Sequence, residues 1–337
     1  MFTIGNKKIG IGNPTYIIAE AGINHNGDLN LAKKMIDEAA NCGVDAIKFQ
    51  SFSADELFSK KLNPDFFKFA KDLSINSNQH QQLKKYSQKR KIEFISTATG
   101  LKSLNLLKKL GVSTIKIASM DTNNHEILKA AARTKVPLIV STGMSTISEI
   151  TSAVKTLTKE NATFCLLHCV SSYPTSVCDA NLATISYFNK IFDVPIGYSD
   201  HTMGIDACIT SIPLGSCIIE KHFTLNKKMD GPDHKLSANP KELTKLVKKI
   251  RITEKLLGKP RKQILKSEQK FRIAMKRSVG FNQDLRKGTK IRQSMLTFYR
   301  PGDGIPPNTI NNIIGRKLKQ NVTKGTFVNW NMFQPVP

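Results

Sequence analysis

The chain has 337 residues, 40% of them apolar, which suits one large domain with a sizeable core plus a small one. No apolar run approaches the roughly 18 residues of a membrane span, and the N-terminus, MFTIGNKKIGIGNPTY, lacks the charged-then-apolar layout of a signal peptide, so a soluble cytoplasmic protein with no membrane partner is expected. The formal net charge of +25 is densest between Lys241 and Arg277, but that stretch has few aromatics and no Gly-rich RNA-binding signature, so it reads as a solvated helix face, or as a field that draws in anionic substrates, rather than as a nucleic-acid partner site.

In chain order, Gly5, Gly10 and Gly12 allow an N-terminal hairpin. Eight short apolar runs come next: TYIIAEA (15–21), DAIKFQ (45–50), IEFIST (92–97), TIKIAS (114–119), PLIVST (137–142), TFCLLHC (163–169), PIGYSD (195–200) and SCIIEKHF (216–223). Helical segments alternate with them. Leu29 to Cys42 carries an apolar stripe of 3.6-residue period, with Asp28 as N-cap and Gly43 as C-cap. Glu126 to Thr134, Ser145 to Leu157 and Pro240 to Leu257 read the same way. Eight strand–helix alternations predict an α/β fold of the parallel (βα)8, or TIM, barrel type over residues 1–257, with the N-terminal hairpin closing its bottom. An open doubly wound sheet is disfavoured, because the first turn, AEAGINHNGD, is not GxGxxG.

The gap after the second strand is the longest, and residues 51–75 are expected to form an extended loop over the site. Residues 258–277 read as a charged connector. From 278 to 337 the strands are short and the turns dense, with a weak internal echo between DLRKGTKI (284–291) and NVTKGTFV (321–328), which predicts a small β-rich domain. The cysteines at 42, 165, 169, 178, 208 and 217 form no CxxC pair and are expected to be reduced.

Barrel chemistry sits at the C-terminal ends of the strands. The polar residues there are Glu20; Lys48 and Gln50; Thr97; Lys116 and Ser119; Ser141 and Thr142; His168 and Ser171; Ser199, Asp200 and His201; and Glu220, Lys221 and His222. Lys48 and Lys116 lie inside apolar runs, where a lysine is costly unless it meets an anion. They predict a phosphate or carboxylate site. His201 and His222 end the last two strands and could share a divalent ion with open positions. Hydrogen-bonding roles in the core are the alternative for both. Glu20 could act as acid or base, hold a hydroxyl, or pair with a barrel lysine.

The ordered set IIAEAGINHNGD, AIKFQ, FISTATG, KIAS, STGMS, LLHCVSSYPT, GYSDHT, EKHFT, GPDHKLS and RPGDGI resembles the bacterial sialic acid synthases, including the N-acetylneuraminate and N,N'-diacetyllegionaminate branches, over almost the whole chain. The resemblance implies condensation of phosphoenolpyruvate with an N-acetylated hexosamine, a C-terminal antifreeze-like (SAF, β-clip) domain, and a domain-swapped homodimer. It also implies roles for individual residues. Lys48, Thr97, Lys116, Ser119, Ser171 and Ser199 would bind phosphoenolpyruvate, although Ser171 stands where some members have asparagine. Glu20, Gln50, Tyr173 and Asp233 would contact the amino sugar, joined by Arg300 from the partner subunit. Glu20, Lys48, Lys116 and Asp121 would be catalytic, although Asp121 stands where some members have glutamate. His201 and His222 would hold manganese, magnesium or cobalt. N-acetylmannosamine is the first expected acceptor, and the 2,4-diacetamido sugar that leads to legionaminic acid is the alternative. A Schiff-base aldolase using Lys48, Lys116 or Lys221, and a non-catalytic binding protein, are the distant rivals.

Overall fold

The computed structural model describes residues 2–335; Met1 and residues 336–337, the outer ends of the barrel stretch and of the β-rich stretch, lie outside the described residues. Two compact units divide the chain, Met1–Gly258 and Lys259–Pro337.

The first unit is a closed barrel of eight parallel strands. A two-stranded antiparallel hairpin precedes it, β1 (Phe2–Ile4) and β2 (Lys7–Ile9). The barrel strands are β3 (Tyr16–Gly22), β4 (Ala46–Ser51), β5 (Glu93–Ala98), β6 (Ile115–Ile117), β7 (Leu138–Ser141), β8 (Phe164–Cys169), β9 (Ile196–Asp200) and β10 (Ile218–His222), and β10 closes onto β3. Helix α1 (Leu29–Cys42) joins the first two barrel strands. It starts where Asp28 accepts a bond from the Asn30 amide, and it stops at Gly43, whose φ of 79° suits glycine. Later connections carry α5 (Leu101–Leu110), α6 (His125–Arg133), α7 (Ile147–Lys159), α8 (Ala183–Ile191) and α9 (Asp206–Ser211), and α10 (Pro240–Leu257) follows the last strand.

The connection from β4 to β5 departs from expectation. Residues 51–75 are not an extended loop: they contain α2 (Ala54–Leu57) and α3 (Pro64–Leu73), and α4 (Ser77–Lys89) follows. Pro64 opens α3, where its missing N–H costs nothing. Among the residues of α3 only Ala70 is buried, so the apolar periodicity that announces a core helix is weak there. Leu62, Phe66 and Phe69 remain exposed, and Phe66 stacks on Phe58.

Strand alternation sorts the barrel side chains onto two faces. Outward residues such as Ile17, Ile47, Ile115, Val140 and Ile219 pack under the helices in one large core. Inward residues at the N-terminal end form a second cluster, in which Ile18, Ala46, Ile95, Ile139, Leu167 and Ile218 meet Phe2, Ile4 and Ile9 of the hairpin. The hairpin therefore seals the bottom of the barrel. The lumen is tight at this level: a Cβ at Gly197 would lie 2.5 Å from the Leu167 side chain.

Outward polar residues near the strand ends have structural partners. Lys221 and Asp200 are wholly buried, with their charged groups 2.7 Å apart. The same Asp200 accepts bonds from the Tyr198 hydroxyl and the Thr202 amide. His168 bonds the Ala180 carbonyl and stacks on Tyr198.

In the second unit a 3-10 turn (Lys266–Glu268) and α11 (Gln269–Met275) occupy the stretch read as a connector, and both are exposed. Beyond them, β11 (Ser278–Phe281) pairs with β12 (Leu296–Tyr299) around a separate core that includes Val279, Phe281, Leu285, Leu318 and Val322. The two echoing segments pair with each other. Leu285 and Val322 exchange backbone bonds. The Lys287 amide donates to the Asn321 side chain, and, at the equivalent position, the Lys324 amide donates to the Asp284 side chain. Gly288 and Gly325 take the same left-handed turn, with φ of 85° and 86°.

Ile4→Ala removes a fully buried contact between hairpin and lumen. It is expected to lower unfolding free energy by about 2–5 kcal/mol in urea titration. An unchanged midpoint would mean that the hairpin does not seal the core.

Candidate active site

Halfway up the lumen the inward residues change from apolar to polar. Ile18 gives way to Glu20, Ala46 to Lys48, Ile95 to Thr97, Ile139 to Ser141, and Ile218 to Glu220 and then His222. With the bottom sealed, these side chains open only upward. They line a cavity of about 370 Å³ at the C-terminal ends of the strands.

Lys48 is the hub. Its ammonium lies 2.8 Å from Glu20 Oε2, donates to Thr97 Oγ1 at 2.9 Å, and stands 3.7 Å from Glu220 Oε2. It is only 2% exposed. Register explains the convergence, since Glu20 pairs with Lys48 and with His222 across neighbouring strands. Burial alone would favour a neutral Lys48, but the two carboxylates outweigh it and raise its pKa. The carboxylates are pushed apart. Burial raises Glu20, with Glu220 adding to the rise. Burial also opposes the charge on Glu220, but Lys116 and Lys48 more than offset it and hold Glu220 below the usual carboxylate range.

Lys116 is a second buried cation. It donates to Ser141 Oγ at 2.6 Å and to the Ile117 carbonyl at 3.2 Å, and burial lowers its pKa. Among the described residues it has no direct carboxylate partner, so an incoming anion would be stabilised there. Beside it, Ser119 Oγ accepts from the Gly143 amide and lies 3.1 Å from Cys169 Sγ. A Cβ on Gly143 would come within 2.4 Å of Ser171 Oγ and 3.0 Å of Ser119 Oγ, so glycine keeps this corner open.

His201 and His222 face each other with ring centroids 5.3 Å apart, and the Tyr173 ring lies tilted against His201 with centroids 4.2 Å apart. The Val170 carbonyl engages His201 Nδ1 at 2.7 Å, which leaves Nε2 as a donor atom. His222 Nδ1 is buried without a hydrogen-bond partner among the described residues; Asp233 Oδ2 lies 3.8 Å away. Burial lowers the pKa of both, and His201 and Lys48 lower His222 further, so both imidazoles are neutral near pH 7. Two neutral imidazoles, one with an orphaned nitrogen, fit a divalent ion. Among the described residues no group of three His, Cys, Asp or Glu side chains could hold a metal, so such an ion would keep open positions.

The cavity brings together Glu20, Lys48, Gln50, Thr97, Lys116 and Ser119 from the first four strands and the segments that follow them. It adds Ser171, Tyr173, Ser199, His201, His222 and Asp233 from the last three. Two expected residues are not in its lining. Asp121 sits in a 3-10 turn after β6, its carboxyl raised by burial and in contact with Asn124. Arg300 belongs to the second unit, exposed just after β12. The lining also includes Glu220 and Ser141, to which no role was assigned from sequence. Glu220 is two residues before His222 on a strand, hence on the same face, and that spacing places a residue already visible as a polar strand end beside the histidine.

A model of the NeuB family matches residues 35–262, and a model of the SAF domain matches residues 276–334. The chain is 43% identical to an uncharacterized protein of Methanocaldococcus jannaschii, over 97% of each. It is 38% identical to the N,N'-diacetyllegionaminic acid synthase of Legionella pneumophila, over 97% of this chain and 96% of that one. Among solved structures, an N-acetylneuraminic acid (sialic acid) synthetase from Leptospira borgpetersenii, in complex with citrate, is 44% identical, with a TM-score of 0.77, over 80% of this chain and 94% of that one.

Lys221 and Lys48 face opposite sides of the barrel wall and hold different things. Lys221→Ala strands Asp200 as a buried, unpaired charge and is expected to cost about 3–5 kcal/mol of stability in urea titration. A wild-type midpoint would contradict a structural role for that pair.

Proposed function

From the premise that the chain belongs to the NeuB family and is an enzyme, we propose that it joins phosphoenolpyruvate to the open-chain aldehyde of an N-acetylated hexosamine, releasing inorganic phosphate. The observation that carries this reading is the pairing of two buried lysines with a two-histidine cluster in one sealed-bottom cavity. The likeness to the Leptospira sialic acid synthetase supports N-acetylmannosamine as the acceptor. The likeness to the Legionella enzyme favours a second reading with the same chemistry, in which the acceptor is the 2,4-diacetamido sugar.

Lys48, Lys116, Thr97, Ser119, Ser171 and Ser199 hold the phosphate and carboxylate of phosphoenolpyruvate, and positioning is much of the catalysis. Its C3 attacks the aldehyde carbon, and the carbonyl oxygen takes up a proton. Water adds at C2, and the C2–O bond to phosphate breaks. Glu20, with its carboxyl pushed up by burial, is suited to exchange a proton at the acceptor, and Gln50, Tyr173 and Asp233 hold the sugar. Glu20 and Glu220 raise the pKa of Lys48 and favour its charged ammonium, which suits an anion and not the neutral amine that a Schiff base requires. His201 and His222 would hold the divalent ion, manganese in the first instance, with magnesium or cobalt as alternatives. Bound there, it supplies Lewis acidity toward the acceptor carbonyl. Asp121, outside the cavity lining, is assigned a supporting role rather than a catalytic one.

The enzyme works as a homodimer in the cytoplasm, with Arg300 reaching the partner's acceptor. Exposed apolar residues of the barrel's upper loops, Met120, Met144, Tyr173 and Met203, support a covering partner. Six free cysteines, five of them buried, support a reducing compartment.

Phosphate release is expected from phosphoenolpyruvate with N-acetylmannosamine or the 2,4-diacetamido sugar, and to depend on manganese. No release with these or with N-acetylmannosamine 6-phosphate would sink the reading. His222→Ala is expected to fold, to abolish manganese-dependent turnover, and to weaken manganese binding in calorimetry; wild-type values for both would refute the ligand assignment. Arg300→Ala is expected to raise KM for the sugar at least about tenfold, a loss of about 1.4 kcal/mol, while changing that for phosphoenolpyruvate little. An equal rise in both would argue against a sugar-specific role.

A further inference from the structure

The segment that brings Asp233 to the cavity, residues 223–238, has no helix or strand of its own. It is closed at its base, where the Ala238 amide donates to the His222 carbonyl and the Thr224 amide to the Ala238 carbonyl. A loop of this length, tied only at its base, would be expected to open locally. Two hydrogen-bond chains tie it to the turn after β3 instead.

The first runs through His234. Thr224 Oγ1 lies 2.6 Å from His234 Nδ1, His234 Nε2 lies 3.4 Å from Asn26 Oδ1, and Asn26 Nδ2 donates to the Asp230 carbonyl at 2.9 Å. The Nε2 proton goes to Asn26, and Nδ1 shares a hydrogen with the Thr224 hydroxyl, which also lies 3.2 Å from the Asn226 carbonyl. His234 is wholly buried, and burial holds its pKa below the ordinary value. The second chain runs from Asn24, whose side chain donates to the Phe223 carbonyl and to Ser237 Oγ. Ser237 in turn donates to the Asp233 carbonyl at 2.6 Å. Gly231 packs against the first chain. Its φ is +147°, and a Cβ there would lie 2.7 Å from His234 Cδ2 and 3.2 Å from Asn26 Oδ1.

We propose that His234 is a positioning residue for the acceptor sugar, acting through Asp233. The proposal rests on the reading that Asp233 and Glu20 contact that sugar. Neither His234 nor Asn26 lines the cavity. Asn26 follows β3, the strand that carries Glu20, so the His234–Asn26 contact joins the two acceptor carboxylates into one unit. The lysines and hydroxyls assigned to phosphoenolpyruvate come from other strands; Lys48 meets Glu20, but through the β3–β4 register and not through this tie. A loosened loop would therefore raise the ordering cost of sugar binding and leave the other substrate alone.

The test is steady-state kinetics of His234→Ala, His234→Gln and Gly231→Ala, with whichever of N-acetylmannosamine or the 2,4-diacetamido sugar supports turnover. His234→Ala is expected to raise KM for the sugar roughly tenfold, with KM for phosphoenolpyruvate and kcat within about twofold. His234→Gln, which keeps a donor, recovers part of the loss, and Gly231→Ala, which wedges the contact apart, repeats the pattern. An unchanged sugar KM, or an equal rise for both substrates, overturns the proposal. If circular dichroism shows that His234→Ala does not fold, Gly231→Ala and Asn26→Ala decide by the same criteria. If the wild type releases no phosphate with any acceptor, the functional reading fails, and amide hydrogen exchange across residues 225–237 tests the tie itself. Faster exchange in Gly231→Ala supports it, and unchanged exchange overturns it.

Discussion

The compensation of Lys48 is the constraint on which the upper half of the barrel depends. An ammonium that is 2% exposed stays charged only because Glu20, Thr97 and Glu220 converge on it. That convergence requires β3, β4, β5 and β10 to hold their register, because a slip of one residue would turn each of these side chains to the other face. The arrangement also has slack. Among the described residues Lys116 lacks a carboxylate of its own, and one of the two glutamates is raised by burial. The cavity is therefore matched to an anionic guest and not already neutralised for it.

The barrel wall divides labour by strand parity. Glu220 and His222 face the lumen, while Lys221 between them faces outward and is sealed against Asp200. Ser199 and His201 face inward, while Asp200 does not. One short sequence, EKH, thus carries a site residue, a structural ion and a site residue in turn. The hairpin makes this useful. By filling the bottom with Phe2, Ile4 and Ile9, it gives the polar layer an apolar floor, beside which electrostatic interactions are stronger than in water.

The strands and the long helices were legible because their signals are local. The eight apolar runs lie within a few residues of the eight barrel strands, and both caps of α1 stand where the sequence placed them. The helices α2 and α3 were not legible, since α3 buries only Ala70 and so lacks a core-facing stripe. Glu220 was visible as a strand-end residue, but its contact with Lys48 was not, because the two are far apart in sequence and meet only through barrel closure. The weak echo in the C-terminal segment was visible as a pattern. That its two copies pair with each other through reciprocal side-chain caps became visible only in three dimensions.

By itself, the sequence determined the element order, the barrel class and the roster of polar strand ends, all properties set by periodicity, capping and residue type along a few neighbouring positions. The tertiary structure decided which of those polar residues face one cavity, which are sealed outside it, and which carboxylate is held charged. It left Asp121 outside the cavity lining and tied the Asp233 loop to the turn after β3 through His234. The physical reason is that charge compensation and hydrogen-bond satisfaction are set by through-space distances of a few ångströms, and closing a barrel creates those distances between residues that the chain keeps far apart.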